Sequence, residues 1–326
     1  MSNYLKNHKF FKEISSDLKK VEKELDKVLK VNDPVLSQTC ISLLQAGGKR
    51  IRPGFTLLSG KFFDYSFEKL LPIAVALEII HMATLVHDDV VDASLIRRGR
   101  PTLVAGWGNE VSIATGDYLL AKALEQIVKI NDNKLSAFMA KVCIDMCQGE
   151  IQQLKYSYDI EQNLKQYLYR IKRKTALLIS LCCKLGAMAC NADRRGIWIM
   201  STYGHCLGIA FQIVDDILDI TADPKVLGKP VGNDVRQGII TLPMIFALKD
   251  SKIAERLKEL LASDQKTEAE VQEAVALIKQ SDGIAKSNEI VQLYIKKGIK
   301  NLCELPNIPA KDAMIELAEF VGERSY

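Results

Sequence analysis

The sequence has almost no excess of charge of either sign. Its 326 residues contain 44 lysines and arginines against 40 aspartates and glutamates, which gives a net charge of +4 at pH 7. A protein that holds nucleic acid through a general basic field needs a larger excess, so we expect no nucleic-acid partner. A local basic cluster that faces phosphates is still compatible with this balance.

The spacings of zinc sites are also missing. The eight cysteines lie within apolar helical patterns, and Cys143 and Cys147 form an i, i+4 pair that could bind a metal. Because cysteine is usually buried as a small hydrophobic residue, a structural role is favoured for both. Thiols that stay reduced predict a cytoplasmic protein.

No segment is typical of a signal peptide or a transmembrane helix. The first twenty residues carry charges throughout and include no apolar core. The most apolar stretch, residues 71–86, is interrupted by Glu78 and His81 and is short for a membrane span. We therefore expect a soluble protein, which does not exclude a lipid-like substrate.

Strand-like alternation and linkers rich in glycine, serine or proline are hard to find. Two long loops, 97–108 and 223–238, are expected where glycine and proline cluster. Helical periodicity covers 67–92, 110–130, 134–157, 161–189 and 195–221, and shorter helices follow. The sequence thus predicts a single all-α domain over residues 1–326.

Two aspartate triples with the same spacing are embedded in apolar helical sequence. They are Asp88, Asp89 and Asp92, and Asp215, Asp216 and Asp219. In a helix, these offsets place three carboxylates within about 100° of one another, where they repel. A solvated acidic face is the alternative, but the flanking residues are core-like, and buried carboxylates need partners such as a metal ion.

The chemistry of these side chains favours Mg²⁺ over zinc or copper. All the candidate ligands are hard carboxylate oxygens, and no cysteine or histidine lies at ligand spacing. Mg²⁺ keeps several waters and shares its coordination shell with substrate phosphates. Two facing carboxylate helices would therefore hold a diphosphate through bridging Mg²⁺.

Basic residues are distributed around both triples. They are Lys49, Arg50 and Arg52 in GGKRIRP, Arg97 and Arg98 after the first triple, Lys174 before Thr175, and Lys229 after the second triple. Each one alone would be an ordinary surface base. Together, two acidic and two basic sets predict two phosphate-bearing substrates, of which one binds through metal and the other directly to lysine and arginine.

Over nearly its whole length the chain resembles the trans-type isoprenyl (polyprenyl) diphosphate synthases. The motifs that carry the resemblance are GGKRIRP, HMATLVHDDVVD, RRGRPT, GDYLLA, GEIQQL, KTA, FQIVDDILDI and GKPVGND. The resemblance implies an all-α helical bundle of the isoprenoid synthase type with a central catalytic cavity. Within this family, the sequence is similar to long-chain members such as the catalytic subunit of heptaprenyl diphosphate synthase. The implied assembly is a homodimer, or a heterodimer with a small non-catalytic subunit.

The family's reaction is the condensation of an allylic diphosphate with isopentenyl diphosphate. By resemblance, Asp88, Asp89, Asp92, Asp215 and Asp219 would bind Mg²⁺, with three ions per site, and Asp216 would belong to the catalytic set. Arg97, Lys174 and Lys229 would contact the allylic diphosphate, whereas Lys49, Arg52, His81 and Arg98 would bind isopentenyl diphosphate. Thr175 and Gln212 would line the reacting centre.

One position departs from the pattern, and two other functions stay open. Ile239 occupies a place where many relatives have a lysine, so a diphosphate contact is missing or supplied elsewhere. A class I terpene cyclase usually has a different second site and lacks GGKRIRP, and a non-catalytic subunit would be expected to lose aspartates. Both alternatives therefore fit this sequence less well than a synthase.

The residues before the first triple predict a long product. Side chains four and five positions before Asp88 lie about one helical turn deeper on the same side. A bulky aromatic residue there would stop a growing chain early, but this sequence has Ala83 and Thr84. By resemblance to long-chain synthases, we expect a product on the order of six to eight isoprene units, as in a quinone side chain, with a farnesyl or geranylgeranyl product as the alternative.

Overall fold

The prediction of an all-α fold is confirmed. The computed structural model describes residues 9–46, 48, 50–97, 99–222 and 231–323. Within these ranges it has fifteen α-helices, one π-helical turn and one two-stranded antiparallel sheet. The N-terminal half contains α1 (Lys9–Val28), α2 (Pro34–Gln45), α3 (Ile51–Gly60), α4 (Phe67–Val91), β1 (Ile96–Arg97), β2 (Arg100–Pro101), α5 (Leu103–Ile130) and α6 (Asn133–Lys155).

The C-terminal half contains the π-helical turn and nine α-helices. In chain order they are α7 (Leu164–Ile171), the π turn (Lys172–Ala176), α8 (Leu177–Ala189), α9 (Arg194–Thr221), α10 (Asn233–Arg236), α11 (Leu242–Ala247), α12 (Ala254–Ala262), α13 (Glu268–Gln280), α14 (Gly283–Leu302) and α15 (Pro309–Gly322). The π turn continues α7 directly into α8, so a single helical stretch changes its hydrogen-bonding pattern in the middle.

Several helices begin at a side-chain cap that the sequence provides. Asp33 caps α2, accepts from the backbone N–H of Leu36 at 2.9 Å and is followed by Pro34. Asn163 begins α7 with a capping box in which Gln166 bonds back to the backbone of Asn163. Such caps satisfy the backbone N–H groups that the first turn leaves without partners, so these boundaries follow from local chemistry.

The chain folds into two compact units, which we call unit 1 and unit 2. Unit 1 comprises the described residues up to Ala140, together with Ile179–Gly204 and Asn301–Leu317. Its core includes completely buried leucines and isoleucines of α3 and α4, such as Leu57, Leu77 and Ile79.

Unit 2 comprises Lys141–Leu178, the described part of His205–Lys300, and the residues from Ala318 onward. Its core includes Tyr167, Ile213, Leu257 and Ile278, all completely buried. The description of residues 1–326 as one domain stays a prediction.

The prediction of a loop at 97–108 is wrong for most of that range. Ile96–Arg97 pairs with Arg100–Pro101 as a short hairpin, which the sequence pattern did not predict. Helix α5 then begins at Leu103, because the Thr102 side chain accepts from the backbone N–H of Ala105. Gly108, with φ of 77°, interrupts this helix with a kink. In the other expected loop, residues 231–238 contain the short helix α10, and 223–230 lie outside the described residues.

Two described helices, α4 and α9, are long and apolar enough to cross a membrane. However, 67% of the most apolar window of α4 and 61% of that of α9 are buried inside the protein. Core helices of soluble proteins pass the same test of length and composition. The absence of a transmembrane segment therefore stays a prediction.

Candidate active site

The first aspartate triple lies at the C-terminal end of α4 in unit 1. Asp88 and Asp89 occupy the last turn, and Asp92 follows as the C-cap with its N–H donating to the Asp88 carbonyl at 2.8 Å. Asp89 is buried, whereas Asp88 and Asp92 are half-buried. The predicted common face is therefore formed by one inward carboxylate and two that are partly open to solvent.

Arg97 is held against the buried carboxylate of this triple. Its Nε donates to Asp89 Oδ1 at 2.7 Å. The hairpin brings Arg97 back toward α4, and Thr102 Oγ1 fixes the reversal by donating to the Ser94 carbonyl at 2.6 Å. Burial raises the pKa of Asp89; the charge and hydrogen bond of Arg97 oppose this shift, and the charge of Asp92 adds to it.

The GGKRIRP segment is tied to α4 through a buried ion pair. Arg50 has a left-handed backbone with φ of 48°, and its Nη1 donates to Glu78 Oε1 at 2.9 Å. The side chains of Arg50 and Glu78 are only 8% and 5% exposed. Arg52 follows in the first turn of α3 and is half-buried. The pair thus links the predicted basic cluster to the helix that carries His81 and the first triple.

The residues expected to control product length lie on α4 in unit 1. Ala83 is completely buried, and Thr84 is half-buried. The Thr84 hydroxyl donates to the His81 carbonyl at 2.8 Å within the same helix. This bond satisfies the Thr84 hydroxyl within its own helix.

The second triple lies near the C-terminal end of α9 in unit 2. Asp216 and Asp219 are buried, and Asp215 is half-buried. Asp216 Oδ2 accepts from the Tyr167 hydroxyl at 2.6 Å, and its Oδ1 accepts from Gln212 Nε2 at 2.9 Å. Burial raises the pKa of Asp216 to about 6, although both of these hydrogen bonds lower it.

Asp219 connects α9 to the start of α10. Its Oδ2 accepts from the backbone N–H of Asp234 at 3.0 Å, and its carbonyl accepts from the N–H of Gly232 at 2.8 Å. Asp219 is a predicted metal ligand, and in the structure it also holds the start of α10.

The π turn presents Lys174 and Thr175 toward different partners within unit 2. Thr175 Oγ1 donates to Gln212 Oε1 at 2.6 Å, and Lys174 Nζ lies 3.1 Å from Glu150 Oε2 on α6. Single π-helical turns inside α-helices occur frequently at functional sites, because they shift the side chains of one turn relative to the rest of the helix.

Two glycines allow neighbouring helices to approach the π turn closely. A Cβ at Gly208 on α9 would lie 2.5 Å from Ala176 Cα, and a Cβ at Gly149 on α6 would lie 2.7 Å from Arg173 Cβ. Both distances are far below van der Waals contact, so any larger residue would push the helices apart. This packing brings Gln212, four residues after Gly208, within reach of Thr175.

Some predicted residues cannot be placed, and some partners were not predicted. Lys49, Arg98 and Lys229 lie outside the described residues. Sequence reasoning missed two partners: Tyr167, which donates to the predicted residue Asp216, and Glu78, which pairs with Arg50 of the GGKRIRP segment. The only sequence signal for Tyr167 is its position two helical turns before Lys174. In the sequence, Glu78 stands out only as an interruption of an apolar run.

The two triples fit Mg²⁺ by the chemistry of their donors. No group of three or more histidine, cysteine, aspartate or glutamate residues in the described part of the chain is already gathered for a metal ion. Mg²⁺ in phosphate-binding enzymes takes only one or two protein carboxylates and completes its shell with water and phosphate oxygens. Each triple has a half-buried carboxylate that could bind Mg²⁺ while water and phosphate complete the shell. These carboxylates are Asp88 in unit 1 and Asp215 in unit 2.

Comparisons with known proteins agree with these features. Among curated proteins, component 2 of the heptaprenyl diphosphate synthase of Bacillus subtilis is 43% identical, with 96% of this chain and 89% of that protein covered. Short-chain isoprenyl diphosphate synthases are also among its relatives.

Solved structures match over almost the whole chain. The heptaprenyl diphosphate synthase of Staphylococcus aureus has a TM-score of 0.91 and 37% identity, covering 95% of this chain and 98% of that one. A polyprenyl synthase of Caulobacter crescentus, complexed with calcium and isoprenyl diphosphate, has a TM-score of 0.93 and 31% identity, with 97% of both chains covered. The family model for polyprenyl synthetases matches residues 33–278. The chain therefore belongs to the polyprenyl synthetase family.

Proposed function

We propose that this protein condenses an allylic diphosphate with isopentenyl diphosphate, head to tail and in trans geometry, to make a long-chain polyprenyl diphosphate. The observation that carries the proposal is the hydrogen-bonded set on α9 and the π turn. Thr175, Gln212 and Asp216 are joined there directly beside Asp215, which is a predicted metal ligand. Polar side chains in fixed orientations beside a metal-binding carboxylate are suited to the ionisation of an allylic diphosphate.

Mg²⁺ is the proposed cofactor, with three ions per site as the family resemblance implies. Asp88, Asp89 and Asp92 in unit 1, and Asp215 and Asp219 in unit 2, would hold it. Bound Mg²⁺ would neutralise negative charge on the departing diphosphate. The solved relative with calcium and isoprenyl diphosphate supports a divalent cation in such a site.

The basic residues would bind the two diphosphates. Arg97 and Lys174 would contact the allylic diphosphate, assisted by Lys229. Both described residues are paired with a carboxylate, Asp89 and Glu150, which holds each cation in place. Arg52 and His81, with Lys49 and Arg98, would bind isopentenyl diphosphate. Arginine suits bidentate phosphate contacts, and lysine acts as a point charge.

The remaining chemistry takes place at the hydrocarbon end of the allylic substrate. When the C–O bond to diphosphate breaks, positive charge develops on the allyl group, and the double bond of isopentenyl diphosphate attacks it. A proton is then lost, and the departing diphosphate would accept it. Thr175 and Gln212 would face the developing positive charge with oxygen atoms, and the buried apolar side chains around the triples would exclude water.

We propose a product on the order of six to eight isoprene units, because the side chains one helical turn before Asp88 are small. Neither Ala83 nor Thr84 has a bulky side chain that would block a growing chain, and the similarity to heptaprenyl diphosphate synthases supports the same length. Such a product would serve as a quinone side chain.

A dimer and a cytoplasmic location complete the proposal. In unit 1, Ile113, Leu124 and Val128 lie along one face of α5 and are 45%, 61% and 78% exposed. An apolar face of this kind on a soluble protein usually contacts another chain. The name "component 2" of the Bacillus relative supports a heterodimer, in which the other chain would be the small non-catalytic subunit that the resemblance implies, and a homodimer is the alternative. The eight free cysteines are compatible with a reducing compartment.

The test is incubation of the purified protein with farnesyl diphosphate, labelled isopentenyl diphosphate and Mg²⁺. The dephosphorylated products are then separated by reversed-phase chromatography. Long prenols support the proposal, and a dominant C15 or C20 product contradicts the chain length. A hydrocarbon product would identify a cyclase. If the chain is inactive both alone and with the other component of the Bacillus enzyme, it is a non-catalytic subunit.

Two controls make this assay specific for the proposed site. Removing Mg²⁺ with a chelator should abolish elongation, and adding Mg²⁺ back should restore it. Asp88→Asn should reduce kcat/KM by about 100-fold or more, because the Asp88 carboxylate would hold the Mg²⁺ that neutralises the leaving diphosphate. Asp282→Asn, a matched change at a side chain that is 83% exposed, should leave activity unchanged.

A further inference from the structure

Tyr167 has an unusual partner for a fully buried tyrosine. Among the described residues, Tyr167 in unit 2 and Tyr203 in unit 1 are tyrosines with no exposed surface. The Tyr203 hydroxyl donates to the backbone carbonyl of Met314 at 2.6 Å. The Tyr167 hydroxyl, at the same distance of 2.6 Å, donates to a carboxylate of the second aspartate triple, Asp216 Oδ2. Each hydrogen bond satisfies a buried hydroxyl, but only the bond of Tyr167 lies within the candidate site.

Both carboxylate oxygens of Asp216 accept from protein donors. Tyr167 binds one of its oxygens, Gln212 Nε2 binds the other at 2.9 Å, and the side chain is only 5% exposed. A carboxylate is an acceptor when ionised, so it selects the nitrogen end of the Gln212 amide rather than the oxygen end. Asp216 therefore fixes which way the amide of Gln212 points.

The orientation of Gln212 in turn fixes the hydroxyl of Thr175. With Gln212 Nε2 turned to Asp216, its Oε1 accepts the hydrogen of Thr175 Oγ1 at 2.6 Å. A hydroxyl has one hydrogen and two lone pairs. Once the hydrogen is committed to Gln212, the lone pairs of Thr175 are the part of the group that remains to face a positive charge.

We infer that Tyr167 is a positioning residue for catalysis, which acts through Asp216 and Gln212 to orient Thr175. The inference rests on the proposed function, because it concerns how the same site handles the developing allylic cation. It also separates the members of the second triple: Asp216 serves orientation, and Asp215 and Asp219 are left as the candidates for metal binding.

The principal test is Tyr167→Phe, which removes only the hydroxyl. Asp216 would lose one of its two donors, and the chain of fixed orientations would loosen. We expect kcat to fall by about tenfold or more, in line with the loss of a hydrogen bond to a charged group. The KM of both diphosphates and the Mg²⁺ concentration for half-maximal activity should stay the same. A change in either quantity, with kcat preserved, would assign Tyr167 to binding and overturn the inference.

Tyr203→Phe is the matched control, because it removes an equally buried hydroxyl with an equally short hydrogen bond. Tyr167→Phe should lose at least as much thermal stability as Tyr203→Phe, because its hydroxyl bonds to a carboxylate, but only Tyr167→Phe should lose kcat. An equal loss of kcat in both would reduce the effect to general destabilisation and refute the inference.

A double-mutant cycle tests the route of the effect. In the Gln212→Leu background, adding Tyr167→Phe should cost little further kcat, because the group through which Tyr167 acts is already absent. Fully additive losses would mean that Tyr167 acts elsewhere. Asp216→Asn provides a second variant: it should reproduce the Tyr167→Phe defect with unchanged Mg²⁺ activation, and a large increase in the Mg²⁺ requirement would contradict the orienting role.

A spectroscopic measurement tests the inference without any turnover. In protein labelled with ¹⁵N-glutamine, the side-chain amide signal of Gln212 is identified by its loss in Gln212→Leu. Tyr167→Phe should shift or broaden that signal, and Tyr203→Phe should not. An unchanged signal in Tyr167→Phe overturns the inference. If the wild-type protein elongates no substrate, the proposed function fails, and this signal still decides whether Tyr167 orients Gln212.

Discussion

The buried pair of Arg50 and Glu78 should be worth far more to stability than ion pairs at the surface. Its atoms are 2.9 Å apart, and the two side chains are only 8% and 5% exposed. At an effective dielectric constant of about 20, this separation gives a gross attraction of about 6 kcal/mol, most of which offsets the desolvation of both charges. Removing only Glu78 leaves the desolvation of Arg50 uncompensated.

Glu78→Gln is therefore expected to lower the free energy of unfolding by about 3 kcal/mol, near the lower end for a broken buried pair. The value is at that end because Glu22 Oε1 lies 3.7 Å from Arg50 Nε and retains part of the attraction. With an unfolding entropy of about 2.1 cal/mol/K per residue, the corresponding drop in melting temperature is about 4–5 °C. Differential scanning calorimetry and urea titration at neutral pH measure both quantities.

The matched control is another Arg–Glu pair in unit 1. Arg195 Nη2 and Glu304 Oε1 are even closer, at 2.6 Å, but the side chains are 55% and 45% exposed. Glu304→Gln should cost less than about 1 kcal/mol. Adding Arg50→Met to Glu78→Gln should recover stability, because no charge then stays buried. If Glu78→Gln costs no more than Glu304→Gln, burial is not what makes the Arg50 pair important, and the reasoning is refuted.

Three further predictions concern packing, pH and product length. Gly208→Ala places a Cβ 2.5 Å from Ala176 Cα, so it should destabilise the protein by about 1–3 kcal/mol and lower kcat, and unchanged melting and kinetics would contradict this packing. Burial lowers the pKa of His205, and Lys172 and Lys297 add to the shift. As pH falls, His205 is protonated in the unfolded chain at a higher pH than in the folded protein, so the free energy of unfolding should fall below about pH 6.5. His205→Gln should weaken this pH dependence in urea midpoints measured from pH 7 to 5. Thr84→Phe should shorten the prenols seen by chromatography, whereas Thr84→Ser should not; equal products in both would exclude this side of α4 as the limit to growth.

The sequence predicted the helices well, because the information that specifies them is local. The apolar run of α4 and the caps at Asp33 and Asn163 can be found within a few residues of each helix end. The loop expected at 97–108 was wrong for a local reason too. Its glycines suggested irregular chain, but Thr102 caps a helix that tolerates Gly106 and only kinks at Gly108.

The candidate site was predictable as a set of residues but not as a set of contacts. Helical spacing predicts that the three carboxylates of each triple share one side of their helix. The partners are distant in sequence, since Tyr167 bonds to Asp216 across 49 residues and Arg50 to Glu78 across 28. Such pairings depend on how helices pack, and no periodicity within a single helix specifies them.

The two triples also show why identical spacing does not imply identical chemistry. Asp89 and Asp216 are the middle members of their triples, and both are buried. Asp89 is held by the charge of Arg97, whereas Asp216 is held by the neutral donors Tyr167 and Gln212. An arginine cancels the carboxylate charge, but a hydroxyl and an amide only orient it. The middle aspartate of the first triple is therefore part of an ion pair with Arg97, and that of the second is part of a hydrogen-bond chain that leads to Thr175.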